Sequence, residues 1–207
     1  MVKHWGPRPR RYDVEFGSIP VSCAKRNYGV SMVCHAGLKN QRLRFDSAWF
    51  HKKIEIMNRV FRTVNGETIP DVVKHTLDVL KECPWVEVHI GTDSQNHRRS
   101  TIYVTVIAYR YGNRGVHYIL HKQKVKKIRD KWTRLWNEAD YSIEVAEWLT
   151  QKVKVIVEID LDYNSQEKHF SSKLVPPVVG WATSLGYKTN IKPDNQIATK
   201  AADHHCR

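Results

Sequence analysis

The sequence predicts a mixed α/β domain: three antiparallel strands in meander plus two further strands, with helices packed on the faces of the sheet. Three observations lead there. In Trp85–Gln95, Val86, Val88 and Ile90 alternate with Glu87, His89 and Gly91, the period of a strand with one face in a core. Val153–Asp162 alternates in the same way, with Val153, Val155, Val157, Ile159 and Leu161 opposed to Glu158, Asp160 and Asp162. Between these runs, Ile128, Trp132, Leu135, Trp136, Ala139, Ile143 and Ala146 recur at helical spacing. Strands interleaved with helical patterns build layered sheets.

Taken in order, residues 1–57 read as a basic extension of short mixed segments, punctuated by Pro7, Pro9, Gly17, Pro20, Gly29 and Gly37. A single domain spans 58–207. Thr68-Ile-Pro-Asp opens a helix with a capping hydroxyl and an early proline, and Val72, Val73, Thr76, Leu77 and Leu80 form its apolar face up to Cys83-Pro84. The strand at 85–95 follows and ends in Gly91-Thr-Asp-Ser94, where glycine permits a bend and delivers Asp93 to the strand terminus. Residues 100–111 are β-branched and aromatic enough for a second strand. Gly112-Asn-Arg-Gly115 is turn chemistry, and 116–125 alternates as a third strand. A long helix runs from about Lys127 to Lys152, and the alternating strand to Asp162 comes next. Residues 171–185 are helical from Pro176-Pro177 onward, and Gly186 stops them. Tyr187–Lys192 makes a fifth strand, and Pro193-Asp194 starts a terminal helix toward His205.

The net charge of +13 is unevenly placed. Residues 1–60 hold twelve Lys/Arg against four Asp/Glu, and Lys122, Lys124, Lys126, Lys127, Arg129, Lys131 and Arg134 meet only Asp130. Such blocks, interspersed with aromatics, favour a polyanionic partner such as RNA, DNA or their hybrid; the plainer reading is a well-solvated surface. No run approaches the ~18 apolar residues of a membrane span, so the chain reads as soluble and cytoplasmic. Cys23, Cys34, Cys83 and Cys206 lack framework spacing and read as reduced thiols. Cys34-His35 with His204-His205-Cys206 is a zinc idea without knuckle spacing. Phosphate loops, dinucleotide turns, His-Glu-x-x-His and Gly-x-Ser-x-Gly elbows are missing.

What remains is carboxylate chemistry. Asp93 leaves the first long strand, Asp160 and Asp162 project from the polar face of the fourth, and Glu138 sits on the intervening helix. If those strands are neighbours, Asp93 and Asp162 meet and the helix lowers Glu138 over them. Oxygen clusters of this kind favour Mg²⁺ or Mn²⁺. Two such ions about 4 Å apart can serve phosphodiester cleavage. The plainer readings are a turn for Asp93 and Ser94, a solvated helix face for Glu138 beside Arg134, and a solvent-facing strand for Asp160 and Asp162.

The order of elements resembles the ribonuclease H fold. Ile90-Gly-Thr-Asp-Ser-Gln95, Val157-Glu-Ile-Asp-Leu-Asp162, Val178-Val-Gly-Trp181, Ile191-Lys-Pro-Asp194 and Ala201-Ala-Asp203 resemble motifs of the YkuK-type ribonuclease-H-like family of bacterial and phage proteins. Phe61-Arg-Thr-Val-Asn-Gly66 is similar to the lead-in before that family's first helix. The resemblance covers about 58–207. It implies a carboxylate site holding two Mg²⁺ or Mn²⁺ ions, with Asp93 bridging, Glu138 from the helix (Glu144 competing) and Asp162 from the fourth strand. Asp160 stands where the family more often has histidine, and would make the site more acidic. The last carboxylate is Asp194 or Asp203; nine residues is about two and a half turns, so both cannot face one site, and Asp194 is preferred for its rigid turn. Pro176-Pro177 departs from the family pattern.

These readings lead to a metal-dependent nuclease in which Asp93, Glu138, Asp162 and Asp194 carry the catalysis. Ser94, Gln95 and Lys192, with the lysines and arginine of 122–131, would contact nucleic acid. Trp132 and Trp136 read as core rather than as base-stacking surfaces. A nucleic-acid-binding accessory without turnover is the main competitor, and a virion component is a third reading.

Overall fold

The computed structural model describes residues 59–206. The expected basic extension at 1–57, and Cys34-His35 with it, lie outside the described residues. Seven strands form one sheet: β1 (Phe61–Thr63), β2 (Thr68–Ile69), β3 (Glu87–Asn96), β4 (Ser100–Arg110), β5 (Val116–Lys126), β6 (Val157–Asn164) and β7 (Lys188–Lys192). Their spatial order is β2-β1-β5-β4-β3-β6-β7. β3, β4 and β5 are the antiparallel meander, and β6 and β7 add in parallel on the β3 side. The two extra strands come from the lead-in segment, which turns at Gly66 (φ +87°) and pairs with β5.

Helices α1 (Val72–Glu82), α2 (Lys131–Thr150), α3 (Val175–Ser184) and α4 (Ile197–Cys206) complete the fold. Val88 and Ile90 of β3, Ile107 and Tyr109 of β4, and Ile159 and Leu161 of β6 share one core with α1, α2 and α3. Full burial of a side chain such as Ile90 stabilises the fold by about 1.5–3 kcal/mol. Val104, Val106 and Ala108 look the other way and meet Ala198, Ala202 and Cys206 of α4. No helix among the described residues is long and apolar enough to cross a membrane.

Several boundaries differ from expectation for identifiable reasons. Thr68 does not cap α1; it is a strand residue, and Asp71 caps the helix by accepting from the Lys74 amide. Leu77 faces outward and Val79 is buried in its place. The long helix begins at Lys131 because Asp130, four residues into the expected span, is its cap and accepts from Thr133. Trp132 is 39 % exposed and not core, whereas Trp136 stacks on Trp181 at 5.8 Å and packs against the core. β6 begins at Val157, four residues after the alternation starts, and keeps the expected parity. Pro176 and Pro177 sit in the first turn of α3, where their missing N–H groups cost nothing.

β3 does not bend at Gly91; it runs on to Asn96. Glycine is required there by close packing. A Cβ at Gly91 would stand 2.9 Å from Thr199 Cγ2 and 3.0 Å from the Thr199 amide and the Asp160 carbonyl. The absent side chain lets α4 lie directly on β3.

Candidate active site

The parallel register of β3 and β6 ends at the pair Gly91–Asp160. Two residues further along each strand come Asp93 and Asp162. Because side chains alternate, both project from the sheet face that carries α4. They line one open cleft of about 370 Å³ with Glu138 of α2 and Asp203 of α4. The adjacency of these two strands is what the carboxylate reading needs.

Asp93 is mostly buried. Desolvation raises its carboxyl, the Asp162 and Asp203 charges push the same way against the Ser94 amide and Arg134, and the result is about 6. Glu138 is 2 % exposed. Burial first, and then the Asp93 charge, hold it well above the ordinary carboxylate range. Its Oε1 accepts from Ser94 Oγ at 2.5 Å, and Arg134 Nη1 lies 3.7 Å away. Arg134 donates to the Ser94 carbonyl and hydroxyl at 2.7 and 2.9 Å. Ser94 lines the cleft, and its hydroxyl and carbonyl hold Glu138 and Arg134 in position. Gln95 lines the cleft and is exposed. Asp162 is half-exposed and pairs with Lys192 Nζ at 2.5 Å.

Two expected carboxylates lie elsewhere. Asp160 is fully buried, with every contact internal: one oxygen accepts from His89 and Asn190, the other from the Ile197 and Ala198 amides at 2.7 and 2.8 Å. It caps α4 from a neighbouring strand and does not line the cleft. Asp194 is exposed on the turn closed by its amide to the Ile191 carbonyl, three residues before α4 begins, and is absent from the cleft wall. Asp203 is the α4 carboxylate that lines the cleft. Glu144, the alternative to Glu138, is buried in an ion pair with Arg59 at 2.7 Å.

The basic residues divide into two groups. Lys122, Lys124 and Lys126 are exposed on β5 and pair through Val104, Ile102 and Ser100 of β4; Val104 also pairs with Asp93. Asp93, Val104 and Lys122 thus form one row across one sheet face, with Asp93 and Lys122 two strand spacings, about 10 Å, apart. Lys127, Arg129 and Lys131 are exposed at the entry to α2. Of the zinc idea only the C-terminal half lies among the described residues: His205 meets Tyr118 at 3.0 Å, and Cys206 donates to the Asp93 carbonyl. Burial and the nearby Asp93 charge push the Cys206 thiol up to about 12, which keeps it inert.

The donor set of the cleft is oxygen only, as Mg²⁺ or Mn²⁺ prefers. Among the described residues no three His, Cys, Asp or Glu side chains are gathered tightly enough to grip an ion unaided. The residue that sequence reasoning weighed as a helix partner and a member of the basic cluster, and not as part of the carboxylate site, is Arg134. Its spacing of four from Glu138 was the available signal, and it is the cation of the cleft wall.

A sheet with three antiparallel strands, two parallel additions and a carboxylate cleft where β3 meets β6 defines the ribonuclease H class of α/β proteins. The family model described as Ribonuclease H-like matches residues 71–207, and the chain belongs to that family. No curated protein and no solved structure matches it significantly.

Proposed function

We propose that this protein is a metal-dependent nuclease that hydrolyses phosphodiester bonds in RNA or DNA. The observation that carries this reading is the convergence of Asp93, Glu138, Asp162 and Asp203 on one cleft from four separate elements. Asp93 and Asp162 would hold the Mg²⁺ or Mn²⁺, two ions in the arrangement the family implies, with Glu138 and Asp203 completing the acidic wall. Asp203 replaces Asp194 as the last carboxylate because it is the one at the cleft. When bound, the metal would supply an activated water and neutralise charge at the scissile phosphate. The chain's own contribution is positional. Ser94 and Arg134 orient the Glu138 carboxyl, Lys192 fixes Asp162, and α4 holds Asp203 opposite them. The exposed Lys122, Lys124 and Lys126 offer a phosphate backbone cations on the same sheet face, on the far side of α4, where Lys122 Nζ also donates to the His205 carbonyl at 3.1 Å.

A non-catalytic nucleic-acid-binding accessory is the second reading. It is favoured by Arg134, a cation already placed in the cleft wall. One assay separates the two. Hybrid, duplex, junction and single-stranded substrates are incubated with Mg²⁺, Mn²⁺ or chelator, beside Asp93→Asn and an Asp93→Asn/Asp162→Asn double variant. Metal-dependent products from the wild type that vanish in both variants support the nuclease. Salt-sensitive binding with no product on any substrate supports the accessory and ends the nuclease reading.

A further inference from the structure

The start of α2 and the segment after β6 carry an exposed aromatic pair. Trp132 and Phe170 are each 39 % exposed, with ring centroids 6.3 Å apart and planes at 87°. Lys131 Nζ stands 5.0 Å over the Phe170 ring. Lys127 and Arg129 precede the pair in sequence, Lys168 and Lys173 flank Phe170, and all four are exposed. The acids nearby in sequence are Asp130, engaged with Thr133, and Glu167.

We propose that Trp132 and Phe170 form a stacking platform for unpaired bases of a single-stranded nucleic acid, next to the acidic cleft. The position supports it. Trp132 opens the helix that brings Arg134 and Glu138 into the cleft, and Phe170 closes the segment that follows Asp162 on β6. The ring pair joins the two segments that carry cleft carboxylates. An exposed aromatic face among lysines matches a strand whose bases offer π-faces and whose phosphates need cations. A duplex hides its base faces in the stack and gains nothing from such a surface. Among the described residues the other exposed tryptophan, Trp85, precedes the start of β3, the end away from Asp93.

This inference rests on the chain's binding nucleic acid and is independent of cleavage, so the test is run in chelator. Fluorescence anisotropy is measured for a labelled single strand of about twelve nucleotides, the same length of abasic strand, and a duplex. Trp132→Ala and Phe170→Ala should each weaken the base-bearing single strand by about 5- to 100-fold. Both should leave the abasic strand and the duplex unchanged, and Trp132→Phe should retain most of the affinity. Equal losses on base-bearing and abasic strands, or no loss, overturn the platform and leave a plain polyanion surface. Circular dichroism confirms that each variant folds; should Trp132→Ala not fold, Phe170→Ala and Trp132→Phe decide. A wild type that binds neither single strand overturns both the platform and the nucleic-acid reading. Binding with the expected pattern but no metal-dependent product overturns the nuclease reading alone.

Discussion

At Asp93 two effects with different physical origins act in the same direction. Burial withdraws water from the carboxylate, and Asp162 and Asp203 add like charge, so the proton is held to about pH 6 in the folded chain. The same carboxyl in an unfolded chain titrates near 3.9. Between about pH 4 and 6 the unfolded state ionises while the folded state keeps its proton. The stability this group contributes is therefore complete below about pH 4 and is lost as pH rises through 6, by at most about 3 kcal/mol. Glu138, shifted the same way, adds to the trend. His89, raised on balance, also loses its contribution as pH rises, so the effect must be isolated by difference. In chelator, Asp93→Asn should melt higher than the wild type at pH 7, and the gap should close by pH 4. Melting curves at several pH values check this, and a gap independent of pH would contradict it. The shift comes first from burial and then from neighbouring carboxylates, neither of which a single stretch of sequence displays. Asp93 and Asp162 are legible as candidates from strand parity, but their mutual repulsion exists only once β3 and β6 are neighbours.

Among the elements, α4 depends most on its surroundings. Its first amides are satisfied by Asp160, 37 residues upstream of Ile197, and its close approach to β3 depends on Gly91. Removing the buried Asp160 carboxylate would strand the Ile197 and Ala198 amides and leave His89 without its partner. Asp160→Ala should cost about 3–5 kcal/mol, seen as a lower denaturant midpoint. Asp160→Asn keeps an acceptor and should lose less. If Asp160 were instead an ion ligand, either change would impair divalent binding while leaving chelator stability near wild type. The long-range cap also explains why the sequence placed the helix start at Pro193-Asp194. A cap supplied by another strand leaves no local mark, whereas Asp130 and Asp71, which cap α2 and α1 locally, stand within the runs that announced those helices. The strands of the meander were legible for a related reason: their alternation and the Gly112–Gly115 turn are local. The choice between Asp194 and Asp203 was not, because it turns on a three-residue shift in where α4 begins.

For the whole molecule the governing quantity is charge and its placement. The described part of the surface sets Lys122, Lys124 and Lys126 in a stripe across the strands from Asp93, so acid and base occupy one face in separate bands. Each lysine that neutralises a phosphate of duplex DNA contributes about 0.9 to the slope of log affinity against log salt. A triple Lys122→Ala/Lys124→Ala/Lys126→Ala variant should bind duplex more weakly at low salt and show a slope shallower by up to about 2.7. Titrations at a series of salt concentrations measure it, and an unchanged slope would remove the stripe from the binding path. The two rims of the sheet have a separate consequence. Among the described residues one rim is β2, two residues long and followed by Pro70, together with the part of β5 that β1 does not pair beyond Ile119 and Leu120, which carries Lys122, Lys124 and Lys126; the other is β7, with exposed Lys188 and Lys192 at its ends. Neither rim gives a second molecule a long uncharged run of amides on which to add a strand. Self-association by edge pairing, the ordinary hazard of an open sheet, is thus discouraged at both borders.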